Sequence, residues 1–116
     1  MHDNYKADQK LLAVNELVNR VNINYKKLTV SAYTIKVDDL FIDVNVSQAT
    51  ALTLPANAPI GTNYIIKDSS GNASSNNITI SRQGGDSIEG SSTKVISTNY
   101  GLVKLIYDGT NKWLTI

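Results

Sequence analysis

The stretch DLFIDVNVSQATALTLPANAPIGTNYIIKDSSGNASSNNITIS, residues 39–81, decides the fold class. Its apolar residues recur at every second position. Leu40, Ile42, Val44 and Val46 alternate with Phe41, Asp43 and Asn45, and Leu52 and Leu54 share one side of TALTLP before Pro55 closes the segment. A period of two puts successive side chains on opposite faces of a strand. NYIIKD (63–68) and NITIS (77–81) follow, separated by ANAPIG and DSSGNASSN, whose Gly, Pro, Asn and Ser supply turn chemistry.

The pattern extends in both directions. TVSAYTIKV (29–37) precedes it, and KVIST (94–98), GLVKLIY (101–107) and KWLTI (112–116) come after it, split by RQGGD and EGSS. Short strands at this spacing, with no helix-period segment between them, predict an antiparallel all-β domain over residues 28–116, a sandwich or prism. Parallel βαβ architecture is excluded. For the closing hairpin, a four-residue loop from Asp108 to Asn111 sets Leu105 opposite Leu114 and Val103 opposite Ile116. That register gives one dry face and makes Ile116 a core residue. It leaves Ile106 and Trp113 on the opposite face, which a lone chain would expose, so both are expected at an interface between copies.

Residues 1–27 read differently. From Asp3 to Tyr25 the chain has no Gly or Pro, and Ala7, Leu11, Val14, Val18, Val21 and Tyr25 recur at alternating steps of four and three. That is a heptad seam on a short helix, with Asp3 or Asn4 as its cap. Leu12 and Leu17 widen the stripe. The helix either packs on its own domain or forms a short coiled coil. The second is preferred, because a strand-rich domain offers little to cover a helix. Valine at both kinds of seam position leans toward trimers.

Composition narrows function by exclusion. The 116 residues carry a formal net charge of +1 and no cysteine, which removes disulfides, thiolate metal sites and any electrostatic case for nucleic acid. Lys26, Lys27, Arg82, Lys94, Lys104 and Lys112 are scattered among acids rather than striped with aromatics. No apolar run approaches the roughly 20 residues of a membrane helix, and MHDNYKADQK lacks the apolar centre of a signal peptide. Neither nucleic acid nor membrane is expected as a partner.

Catalytic chemistry finds few residues to work with. His2 is the single histidine, so neither a triad nor a zinc site can be assembled around it. Asp38, Asp39, Asp43, Asp68, Asp86, Glu89 and Asp108 could supply a glycosidase pair, but most fall at turns, where Asp caps its own backbone. DSSGNASSN is oxygen-rich yet lacks the further acids and terminal Glu of a calcium loop. RQGGDSIEG precedes no helix and is not a phosphate cradle. Asn45-Val46-Ser47, Asn72-Ala73-Ser74 and Asn77-Ile78-Thr79 match the glycosylation sequon, as chance allows in a chain rich in Asn and Ser. No enzyme, metal or cofactor is expected.

From about residue 50 to Ile116 the chain resembles a module found at the C-termini of bacteriophage fibre and spike proteins. The elements that carry the likeness are LTLP, YIIKD, GNASSNNITI, GGDSIEG, the NYG corner and the final LIYDGTNKW hairpin. The resemblance implies a homotrimeric, strand-rich virion appendage mounted through its N-terminal segment, with no catalytic residues. The small size departs from long tail fibres and looks more like a trimeric head fibre, a capsid-decorating protein of crAss-like or similar tailed phages. On this reading residues 1–27 trimerise and attach to a capsid or other virion protein. The chain then sits on the capsid surface and aids host adhesion. A carbohydrate- or receptor-binding adhesin module is the alternative, with Tyr64, Tyr100, Tyr107 and Trp113 as the aromatics on which a host glycan would stack.

Overall fold

A computed structural model describes residues 24–116, all of whose regular elements are strands. They are β1 (Tyr25–Leu28), β2 (Ala32–Thr34), β3 (Phe41–Val44), β4 (Thr50–Thr53), β5 (Asn63–Asp68), β6 (Ile78–Ser81), β7 (Ser87–Ile88), β8 (Thr93–Ile96), β9 (Leu102–Tyr107) and β10 (Lys112–Thr115). The protein is mainly β, as its alternation predicts. The pairing is not the expected antiparallel one.

From β1 to β8 no two consecutive strands pair. Sheet A has the order β1-β3-β5-β9-β10-β7 and sheet B the order β2-β4-β6-β8. From β1 to β6 the chain steps from one sheet to the other and back, so each strand lies parallel to the one two places earlier. A parallel pair needs a crossover, and here the crossover is a strand of the opposite sheet rather than a helix. Excluding βαβ units therefore did not exclude parallel pairing. Only β8, β9 and β10 return antiparallel, and β7 joins β10 in parallel. The outcome is a short two-sheeted coil closed by a meander, a mixed arrangement that corrects the antiparallel expectation.

The stacked coils align like residues in ladders. On the inner face of sheet A, Ile42 is in register with Ile66, and Leu28 with Val44 and then Asp68. On the inner face of sheet B, Leu52 faces Ile80, and Thr50 leads through Ile78 to Ile96. The two sets meet as a single core that also holds Ile35, Leu54, Ile88, Leu105, Tyr64, Tyr107 and Trp113. Backbone bonds from Asn45 N–H to Leu28 and from Leu54 N–H to Ser81, each 2.9 Å, carry the ladder beyond the strand ends.

The terminal hairpin takes another register. Trp113 pairs with Tyr107, Leu114 with Ile106 and Thr115 with Leu105, one step from the expected alignment. A single step inverts every side chain. Trp113 therefore enters the core, 0 % exposed, stacked on Tyr64 at 5.6 Å and tilted against Tyr107 at 4.9 Å. Ile116, expected inside, is 77 % exposed. The loop allows this because Asp108 N–H bonds to the Lys112 carbonyl at 2.9 Å and the Asp108 carboxylate caps Thr110 N–H at 2.8 Å. Pairing Tyr107 with Trp113 buries two aromatic rings, a larger apolar gain than burying Ile116.

The expected boundary after Lys27 also moves. Tyr25 opens β1, in register with Phe41, and their rings stack at 5.7 Å. Ala7, Leu11, Val14, Val18 and Val21, the remainder of the seam, lie outside the described residues.

Trp113→Ala should lower the unfolding free energy by about 3–5 kcal/mol. Trp113→Phe should cost less, since the buried indole N–H has no acceptor to lose. Ile116→Ser should change stability by no more than about 0.5 kcal/mol. Urea titration followed by tryptophan-independent circular dichroism compares all three.

Candidate functional site

Two surfaces emerge, a rigid corner built on Asp68 and the outer face of sheet A. Asp68 ends β5 pointing inward and is 1 % exposed. Its Oδ1 accepts from Ser70 Oγ (2.8 Å) and Gly71 N–H (3.1 Å), and its Oδ2 from Ala73 N–H (3.0 Å) and Tyr100 N–H (3.0 Å). Three of these donors are local and wrap DSSGNAS around the carboxylate, as the turn reading of Asp68 expects. The fourth reaches across to the NYG corner between β8 and β9. Burial pushes this carboxyl up, but the donors from Ser70, Ala73, Tyr100 and Gly71 outweigh it and hold it below the ordinary carboxylate range.

The corner so fixed presents Tyr100. Its backbone takes a φ of 60°, a left-handed conformation uncommon for a bulky residue. Its N–H is held by Asp68 and its carbonyl accepts from Lys67 Nζ. The phenol end of the ring lies over Gly71, where an added Cβ would come within 2.3 Å of Cζ and displace the ring, and the φ of 74° there favours glycine in any case. The residue as a whole is 60 % exposed. Asn99 beside it accepts from Ser74 N–H at 2.9 Å and ties the corner to the loop a second time.

The other aromatics expected to meet glycan are placed elsewhere. Tyr64 is 0 % exposed, with its hydroxyl donating to the Lys36 carbonyl at 2.9 Å, and Tyr107 is buried beside it and near Asp86. With Trp113 they form an aromatic cluster in the core that no ligand can reach. Both expectations are corrected for the same reason. The inward parity of β5 and β9 carries these residues into the ladder of Ile66 and Leu105.

The outer face of sheet A is the second surface. Tyr25, Phe41, Ile65 and Lys104 share one rung, and Asn63, Ile106 and Leu114 another. Phe41, Ile65, Ile106 and Leu114 are half-buried. Ile106 thus lies outward as expected, whereas Trp113 does not share its face. Asp43 lies between Lys27 and Lys67 on the next rung, receives the Tyr25 hydroxyl, and has a buried Oδ1 without a donor.

Three tyrosines are coupled to acids. Burial and the 2.7 Å hydrogen bond to Asp39 push the Tyr33 phenol up, burial and the charges of Asp39 and Asp38 do so for Tyr64, and the bond to Asp43 raises Tyr25. The other acids serve turns or strands, and no group of three or more metal-ligating side chains comes together among the described residues. No family model matches the chain, and no curated protein matches it significantly.

Asp68 titrates below its unfolded value, so its stabilisation is full above about pH 4 and is lost as acid protonates it in the folded state. Asp68→Asn should lower stability at neutral pH by roughly 2–4 kcal/mol and flatten the decline below that pH, measured by urea midpoints from acid to neutral pH. The raised tyrosines act in the opposite direction. Their contribution is full below about pH 10 and is lost above it. Absorbance at alkaline pH should show fewer phenols ionising near the ordinary value in the folded chain than after unfolding.

Proposed function

We propose that this protein is a non-enzymatic structural component of a virion, a homotrimeric head fibre that projects from a phage capsid. The observation that carries the reading is the outer face of sheet A. Phe41, Ile65, Ile106 and Leu114 make a half-buried apolar band, bordered by Lys104 and Asn63, on one side of a folded chain that already has a core. Beside the band, Asp43 Oδ1 lacks a donor while Lys27 and Lys104 are exposed on the same face. A buried acceptor without a partner calls for one, and a face holding both the acceptor and free ammonium groups can satisfy it from a second copy of itself.

The heptad-spaced residues Ala7, Leu11, Val14, Val18 and Val21 supply, from sequence, a second contact that favours three chains. Three chains related by rotation would seat at a symmetry-matched position on the capsid through the N-terminal segment. The resemblance of residues 50–116 to phage fibre modules supports the virion setting. Host attachment is the adhesive part of the same reading.

Light scattering at micromolar concentration should give three times the 12.6 kDa chain mass. Ile106→Asp should lower that mass, while leaving the circular dichroism spectrum of the β domain in place. A monomer in the unchanged chain overturns the trimer.

A further inference from the structure

We propose that Tyr100 is the stacking platform of a carbohydrate site, taking a neutral pyranose of a surface glycan. Four features of the corner lead to this. The residue is a bulky aromatic held at φ 60°, a backbone state that costs of order 1–3 kcal/mol and persists only where its surroundings over-determine it. Glycine is the residue that adopts it freely, and Gly101 stands next in the chain. The surroundings do fix it. Asp68 holds the N–H, Lys67 the carbonyl, and Gly71 the underside of the phenol. Yet the residue stands outside the core cluster and is 60 % exposed. A strained, immobilised and solvent-facing aromatic is a poor structural element and a good binding one.

Its rim has the matching polarity. Asn99 precedes Tyr100 in the chain and accepts from Ser74 N–H, and Asn72 follows Gly71, over which the phenol lies, so the same corner carries amide and hydroxyl side chains. A pyranose presents axial C–H groups to an aromatic face and hydroxyls around its edge, which is the complementary arrangement. Because the ring is already fixed, ordering it adds little to the entropic cost of binding. The near-neutral chain and the absence of a basic stripe favour a neutral sugar over a nucleobase on a phosphate backbone. The site lies within one chain, so it goes beyond the trimer reading and does not depend on it.

The test is an amide NMR titration of the full chain with lactose and, separately, cellobiose, backed by a glycan array. Saturable shifts in the millimolar range, confined to residues 71–75 and 99–101, are expected with at least one sugar. Tyr100→Gly should melt at or above the temperature of the unchanged chain, because glycine relieves the left-handed backbone, and should weaken binding at least about tenfold. Tyr100→Asn tolerates the same φ, gives a second ringless variant and should behave alike. Tyr100→Phe should bind within about threefold of the unchanged chain. Binding retained in both ringless variants, or no saturable shift with either sugar together with a blank array, overturns the proposal. Failure here leaves the light-scattering result standing, and a monomer in light scattering leaves this site standing.

Discussion

A carboxylate taken out of water must have its lone pairs filled, and Asp68 is where that requirement organises the molecule. Four donors converge on it from a loop after β5 and a corner before β9. Without them its burial would be prohibitive. With them, the end of the parallel coil is joined to the start of the antiparallel closure. The coil alone would leave β5 as an open edge, whereas the tie brings β9 alongside it over five registered pairs. The placement of Trp113 follows, since β10 hangs on β9. Asp68 also shapes the surface, because its Tyr100 bond holds an aromatic in a backbone state it would otherwise leave.

The parallel ladders divide the exterior into two kinds of face. Outward positions on sheet B are Ala32, Ala51, Thr79 and Val95 on one rung and Thr34, Thr53, Ser81 and Thr93 on another, all small or β-branched. Outward positions on sheet A include Phe41, Ile65, Ile106 and Leu114 with interspersed lysines. Both faces come from the same alternation, yet only one offers a broad apolar surface. The proposed association through sheet A draws on this asymmetry.

Much of this was legible in the sequence. NYIIKD spans the residues that form β5, and the alternating segments TALTLP, NITIS and GLVKLIY match β4, β6 and β9 to within two residues at each end. Period-two alternation is a local property, and it survives folding intact. Pairing partners are not local. The same alternation serves parallel and antiparallel ladders, so nothing in DLFIDVNV distinguishes a neighbour in the next strand from one two strands away. The hairpin slip has a similar origin. Leu105 opposite Leu114 and Tyr107 opposite Trp113 both make dry faces, and the choice rests on the volume of aromatic core available from Tyr64, which lies elsewhere in the chain. RQGGDSIEG is dominated by turn residues and carries no strand signal of its own, and β7 forms where Ile88 pairs with Trp113. Tyr100 stood out only as one of several aromatics. Its strain and exposure arise from Asp68, and no local signal announces a hydrogen bond that spans so much chain.

The alternation of the chain between two sheets separates length from cross-section. Each added pair of strands would extend both sheets at once and continue the same interior rungs of Ile, Val and Leu, without any change to the residues that end the stack. A chain built this way can become taller by repetition while its girth and its capping meander stay constant. At the opposite end β1 and β2 are the outermost strands among the described residues, beside Tyr25 and Tyr33. Height and girth are therefore set by different features of the chain, the first by the number of stacked strands and the second by the length of each rung.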